Sequence, residues 1–274
     1  MDLTGVLDIA GKTDTGRVRT QNEDSIGEAA ALGSIVLADG MGGYQSGEVA
    51  SALAVNTILN HLHEKIPETE PGGISDETGY SKESIIARTA IKLANEAIFK
   101  AASSKKEYHG MGTTVVLGIF HDNRLTVAHV GDSRMYRVRD SILEQMTVDH
   151  TLLQELVDRG FYSQQEAEST LSKNLVTRAL GIENSVAVDI SEVDVHPNDI
   201  YLLCSDGLND MIDDEDILLT INTFSDNLQA TADKLIMLAN ENGGRDNVSV
   251  VLARPTKAYP ATKPFINRIA DFLF

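Results

Sequence analysis

Along the chain the apolar positions switch between the two-residue period of strands and the three-to-four-residue period of helices. Residues 5–24 read as a strand, a tight turn and a polar loop. The run Ser34-Ile35-Val36-Leu37-Ala38 predicts a buried strand that stops at Asp39 and turns through Gly40-Met41-Gly42-Gly43. Ser46 is placed to cap a helix carrying Val49, Ala52, Leu53, Leu59 and Leu62 on one face. After a loop rich in Pro and Gly over 67–80, Ser81 starts a second helix with Ile86, Ala90, Leu93, Ala94, Ala97 and Ile98 inward.

From Gly110 the period becomes that of strands. Segments 113–120, 124–130, 133–139 and 142–147, separated by turns at His121-Asp122-Asn123 and Gly131-Asp132, predict an antiparallel meander. Residues 148–181 are mostly polar and helical, and Ser163 with Glu166 fits a capping box. A polar excursion of this length inside a sheet protein carries function or covers a site. Strands return at 186–190 and 200–205, Asp213 caps a short helix, and residues 228–240 form a longer one ended by Asn242-Gly243-Gly244. Residues 248–253 form the closing strand. With no internal repeat and no linker before Pro255, one domain over residues 1–254 is the expectation. The tail, 255–274, has apolar residues at helical spacing. It fits a short amphipathic helix docked on its own domain or, alternatively, an anchor to a partner or a membrane surface, although Arg268 is the lone basic residue of 265–274.

Composition narrows the function classes. The chain has 274 residues, with 41 acidic against 23 basic and a formal net charge of −18. Such a mean field repels nucleic acid and anionic membranes. Most of that acid fits a solvated surface, unless some of the carboxylates converge on a cation. The single cysteine, Cys204, excludes an internal disulfide and suits a reducing compartment. It follows Tyr201-Leu202-Leu203 and has no Arg six residues on to cradle a phosphate, so it reads as a small buried hydrophobe. No secretory leader is visible at the start, and no apolar run approaches the roughly 20 residues needed to cross a bilayer. A cytoplasmic location is expected.

Four acids share a local setting: Asp24 closing Asn22-Glu23-Asp24, Asp39 before Gly40, Asp206 before Gly207, and Asp246 before Asn247. Asp132, in Gly131-Asp132-Ser133-Arg134, is a fifth, at a turn between strands. Each taken singly is a common turn or cap residue. Gathered at one end of a sheet they would repel one another unless cations or protons neutralise them. All-oxygen ligation without Cys or a His-x-x-x-His spacing points to hard ions such as Mg2+ or Mn2+. Two such ions about 3.5 to 4 Å apart generate hydroxide near neutral pH and stabilise an in-line displacement at phosphorus. Asp39 is placed to bridge them, and the unobstructed Gly40 carbonyl offers a further oxygen. Arg19, five residues before Asp24, is either a surface partner for one of many acids or a guanidinium fork for a phosphoryl group.

The ordered motifs Arg19-Thr20-Gln21-Asn22-Glu23-Asp24, Asp39-Gly40-Met41-Gly42-Gly43, Gly110-Met111-Gly112-Thr113-Thr114, Gly131-Asp132-Ser133-Arg134, Thr177-Arg178-Ala179-Leu180-Gly181, Ser205-Asp206-Gly207-Leu208 and Asp246-Asn247 resemble the PPM family. These are the metal-dependent (type 2C) serine/threonine protein phosphatases, and the likeness, from about Thr13 to Ala253, is closest to the bacterial branch. The resemblance implies an α+β fold, a four-layer α-β-β-α sandwich of two antiparallel β-sheets flanked by helices. It makes Asp39 the bridging ligand, Gly40 a carbonyl ligand, and Asp206 and Asp246 direct carboxylates, with Asp24 in the metal shell through water. Arg19 would bind the phosphoryl group, Asp132 a third, weaker ion, and 148–181 would hold a mobile flap. The implied reaction is hydrolysis of phosphoserine and phosphothreonine in proteins by a hydroxide bridging two ions, with no covalent intermediate. Phosphoproteins and a Ser/Thr kinase are the implied partners of a monomer. Eukaryotic members carry His, proposed as the acid, where this chain has Met41. That leaves a metal-bound water as the first candidate acid and His150 as the second. The competing expectations are a scaffold that recruits phosphoproteins without turnover, and a phosphodiesterase or small-molecule phosphatase with the same metals.

Overall fold

The computed structural model describes residues 2–43, 46–163, 166–167 and 175–261. Two antiparallel sheets stack face to face with helices outside each. In the first, β1 (Leu7–Asp14), β11 (Val248–Pro255), β10 (Ile200–Cys204), β7 (Arg134–Arg139) and β8 (Ile142–Gln145) lie in the order β1-β11-β10-β7-β8. The second has the order β2-β3-β5-β6-β9. Its strands are β2 (Asp24–Ala29), β3 (Ser34–Met41), β5 (Val115–His121), β6 (Arg124–Val130) and β9 (Asp189–Asp194), and the short β4 (Gly112–Thr113) pairs with the end of β3.

Alternation along the strands explains why these segments read as unbroken apolar runs. In β3, Val36 and Ala38 face the outer helices α1 (Ser46–Lys65) and α2 (Lys82–Ser104), while Ile35 and Leu37 face the other sheet. β10 does the same, with Leu202 and Cys204 outward and Tyr201 and Leu203 between the sheets. A strand buried on both faces has no polar side to expose. The first sheet is covered by α5 (Asp214–Phe224) and α6 (Leu228–Glu241), which follow the single turn α4 (Asp206–Asn209). The fold expected from the resemblance is therefore present, with three apolar layers between four layers of structure. Cys204 is buried as expected, and burial pushes its thiol up to about 12.

Helix starts follow the sequence closely. Ser81, Asp213 and Asn227 each accept a backbone N–H from the first turn of their helices. Ser46 departs from that pattern, because its hydroxyl donates back to the Gly43 carbonyl instead. Ser163 and Glu166 exchange hydrogen bonds as a capping box does, ahead of a stretch outside the described residues. The described part of the insertion, 148–163, 166–167 and 175–181, includes the helix α3 (Leu152–Asp158). Of the tail 255–274, expected to form a short amphipathic helix, residues 262–274 lie outside the described residues; Pro255 ends β11 and 256–261 packs on the sandwich without helix, with Tyr259 buried.

Three strand expectations need correction. The four strands after Gly110 do not form one meander: β5–β6 belongs to one sheet and β7–β8 to the other, so the chain crosses between sheets at Gly131-Asp132-Ser133. The strand β2 has no apolar run to announce it, since its Gly27 sits where a Cβ would lie 2.7 Å from Val55 Cγ1 of α1. β9 begins at Asp189, because Val186 and Val188 pack against the helical layer ahead of the ladder, and its edge position admits Glu192 and Asp194.

Candidate active site

The crossover at Asp132, the ends of β3 and β10, and the starts of β2 and β11 all fall at one end of the sandwich. Their acidic residues meet there. Asp24 and Asp39 are directly opposite in the β2–β3 ladder, an arrangement of like charges that costs stability unless something neutralises it. An open cleft above them is lined by Arg19, Asp39, Gly40, Met41, Asp132, Asp206 and Asp246, with Thr114, Val176 and Asn247. Asp24 lies deeper, 7% exposed. All seven residues singled out by sequence are thus brought to one place.

Each is held by the local fold. Asp39 rests on Thr114: its backbone N–H donates to Thr114 Oγ1 (3.0 Å), and its carbonyl accepts from the Thr114 N–H (2.8 Å) and the Thr113 hydroxyl (2.7 Å). At Gly40 a Cβ would fall 2.1 Å from the Gly47 carbonyl oxygen and 2.5 Å from that of Glu23, so only glycine lets the start of α1 approach. Asp24 Oδ2 accepts the hydroxyls of Ser205 (2.8 Å) and Ser249 (2.6 Å). Asp246 takes the Asn247 N–H on Oδ1 (2.8 Å) and Arg19 Nη2 on Oδ2 (2.7 Å). Asn247 knits the rim together, donating to the carbonyls of Thr15 (2.9 Å) and Gln21 (2.8 Å) and accepting the Glu23 N–H (2.8 Å).

Thr114, Ser205 and Asn247 stand inside the motifs with no role assigned to them there, and Ser249 lies outside them; all four support the acids. The faint trace of Ser249 in the sequence is a hydroxyl at a position of β11 that alternation assigns to the buried inter-sheet face.

Electrostatics marks the cluster as unfinished without a cation. Burial, then the charges of Asp24, Asp206, Asp132 and Asp246, hold the Asp39 carboxyl well above the usual carboxylate range. Burial, with Asp132 and Asp246 nearby, pushes Asp206 up to about 8. Asp24 rises to about 6 through burial, against the pull of its two hydroxyl donors. Asp132 rises to about 6 through burial and the charge of Asp149. Asp24 Oδ1 and Asp206 Oδ1 are buried with no hydrogen-bond partner. Buried carboxylate oxygens without donors are rare, and bound hard cations complete them. The donor set therefore fits Mg2+ or Mn2+.

Residues 16–241 match the protein phosphatase 2C family. The chain belongs to that family. This phosphatase 2C chain is 40% identical over 253 residues to the serine/threonine protein phosphatase PstP of Mycobacterium tuberculosis, covering 92% of this chain and 45% of PstP. It thus spans about half the length of that relative. With the serine/threonine phosphatase stp of Listeria monocytogenes it shares 38% identity over 247 residues, 88% of this chain and 93% of that protein. Among solved structures, M. tuberculosis PstP/Ppp superposes with a TM-score of 0.81 at 38% identity, over 91% of this chain and 98% of that one. The catalytic domain of PstP in complex with two manganese ions gives 0.78 at 39% identity, with 91% and 98% covered.

His150, considered as an acid, turns away from this chemistry. Its Nδ1 accepts the Gly131 N–H (3.0 Å) and its Nε2 faces Asp189 Oδ2 (3.3 Å). Burial and the neighbouring His129 push its pKa down to about 4, so the ring is neutral. His129, His150 and Asp189 also form a cluster with metal-like spacing. Arg178 already supplies a cation there, with Nη1 2.6 Å from Asp189 Oδ1.

Proposed function

We propose that this chain is a metal-dependent protein serine/threonine phosphatase, cleaving phosphoserine and phosphothreonine esters in proteins. The observation that carries it is the buried carboxylate cluster around Asp39, with orphaned oxygens on Asp24 and Asp206 and one guanidinium at its rim. The phosphatase names of the relatives support the substrate class, and manganese in PstP supports the ion.

Asp39, Asp206, Asp246 and the Gly40 carbonyl would hold two Mn2+ or Mg2+ ions, Asp24 would serve that shell through water, and Asp132 would take a third, weaker ion. When bound, the ions supply a water acidic enough to attack phosphorus directly and offset the charge that develops there. Arg19 turns its fork to the phosphoryl oxygens, which fixes the ester in line. Thr114 and the glycine contact at Gly40 keep Asp39 from shifting as substrate binds. With Met41 beside the cleft and His150 neutral and engaged at Gly131 and Asp189, water in the cleft protonates the leaving oxygen.

The catalytic unit is residues 1–254, with the insertion at 148–181 beside the site and a tail at 255–274 whose first residues, to Ala261, pack on the sandwich. It works in the cytoplasm as a monomer, opposing a Ser/Thr kinase. Among the described residues no helix is long and apolar enough to cross a membrane. The test is hydrolysis of p-nitrophenyl phosphate and of a phosphoserine peptide with Mn2+. Turnover lost in EDTA and in Asp39→Asn is expected, whereas activity indifferent to chelation contradicts the proposal. A preference for nucleotides or sugar phosphates over phosphopeptides would move the substrate class.

A further inference from the structure

The His150 cluster lies outside the carboxylate cleft, yet it grips the residue next to Asp132. Two hydrogen bonds join residues 131 and 150: the Gly131 N–H donates to His150 Nδ1 (3.0 Å), and the His150 N–H donates to the Gly131 carbonyl (3.0 Å). Gly131 has φ +107°, and a Cβ there would stand 2.6 Å from Thr114 Cβ. The Gly131–Asp132 peptide is therefore wedged between Thr114, which holds Asp39, and the His150 ring.

The ring is fixed in turn. With Nδ1 accepting, neutral His150 carries its proton on Nε2, directed at Asp189 (3.3 Å). Arg178 Nη1 also donates to Asp189 (2.6 Å), and the two nitrogens sit 3.0 Å apart because both address one carboxylate. His129 stacks on the ring at 4.7 Å and 15°, with its own Nε2 2.9 Å from the Val148 carbonyl. Both roots of the insertion are tied to the same point. The His150 carbonyl accepts the Thr177 N–H (2.8 Å), Leu152 N–H donates to Leu175 O (2.9 Å), and Thr151 bridges Val176.

We infer that His150 is a positioning residue: through its Nδ1 it sets the Gly131–Asp132 peptide, and through its backbone it links that setting to the roots of the 148–181 insertion. Asp189, anchored by Arg178, selects the tautomer that makes this possible, much as outer partners orient metal ligands elsewhere. The inference rests on the proposal that Asp132 holds the weaker ion.

Asparagine places an amide group where Nδ1 stands, and glutamine places one where Nε2 stands, so the two amides separate the Gly131 contact from the Asp189 contact. The experiment is calorimetric Mn2+ titration of the full chain without substrate, for wild type, His150→Ala, His150→Asn and His150→Gln, each also with Asp132→Asn. We expect His150→Ala and His150→Gln to weaken the Asp132-dependent binding step about tenfold. His150→Asn should stay within about twofold of wild type, a small fraction of that loss. The tighter ions should be unaffected, and all differences should vanish with Asp132→Asn. Nitrogen-15 NMR of wild type should show His150 protonated on Nε2. An Asn variant as weak as the Ala variant, an effect that persists with Asp132→Asn, or a proton on Nδ1 overturns the inference. Should His150→Ala fail to fold, the Asn and Gln pair decides the matter alone. If Asp132→Asn leaves the wild-type isotherm unchanged, the ion assignment itself fails and takes this inference with it.

Discussion

Replacing Asp206 by Asn should destroy metal binding and yet stabilise the metal-free protein. In the folded chain the Asp206 carboxyl titrates at about 8, against an ordinary value of 3.8. Between those values the unfolded chain has released a proton that the folded chain keeps. The unfolded state binds fewer protons there, so stability falls as pH rises, by about 1.4 kcal/mol per unit. The loss is absent below the ordinary value, reaches about 5 kcal/mol at pH 8 and levels off just above that. An Asn amide cannot ionise, but it still leaves a buried polar atom without a partner, at a cost of about 2 kcal/mol. The net gain is about 3 kcal/mol at pH 8 and close to zero at pH 5, a rise in Tm at pH 8 of about 6–12 °C. Thermal melting in EDTA at the two pH values measures this. Saturating Mn2+ should raise the Tm of wild type and do little for the variant. A variant that melts below wild type at pH 8 in EDTA, or gains as much at pH 5 as at pH 8, refutes the reasoning.

Arg19→Ala should lower kcat/KM on phosphopeptides by about 10- to 100-fold, the value of a charge-assisted bond to phosphate, while Mn2+ affinity measured by calorimetry changes far less. Thr114→Val keeps the shape but removes the acceptor of the Asp39 N–H. It should cost about 1–3 kcal/mol in urea denaturation and lower kcat more than it raises KM. Gly40→Ala puts a methyl against the carbonyls of Gly47 and Glu23. It should destabilise by about 1–3 kcal/mol and abolish the Mn2+-induced rise in Tm.

The sheet strands that were legible are those buried on both faces, such as β3, β5 and β10, because a double-sided core forbids polar interruptions. β2 and β9 lie at sheet edges, and β2 is pressed under α1 by Gly27, so neither carries an apolar run. The crossing between sheets at Asp132 was invisible for a different reason. Periodicity reports which residues alternate, not which sheet a strand joins, and four strands with short turns fit one meander as well as two hairpins. The acids of the site were readable because each stands at a strand end beside Gly, Asn or a polar loop. The roles of their supports were not, even where, as with Thr114 and Ser205, the supports stand inside the motifs. Thr114, Ser205 and Ser249 hold Asp39 and Asp24 through contacts that span 75, 181 and 225 residues of sequence. Nor does sequence show that His150 points at Gly131 rather than at substrate.

The carboxylates at the end of β3 are arranged to hold a pair of hard cations. Anomalous-difference density from a crystal soaked in Mn2+ tests it most directly. Two strong peaks about 3.5–4 Å apart, both touching Asp39 and flanked by Asp206 and Asp246, are the expected result. Manganese bound instead among His129, His150 and Asp189, or no peak in contact with Asp39, would contradict the account.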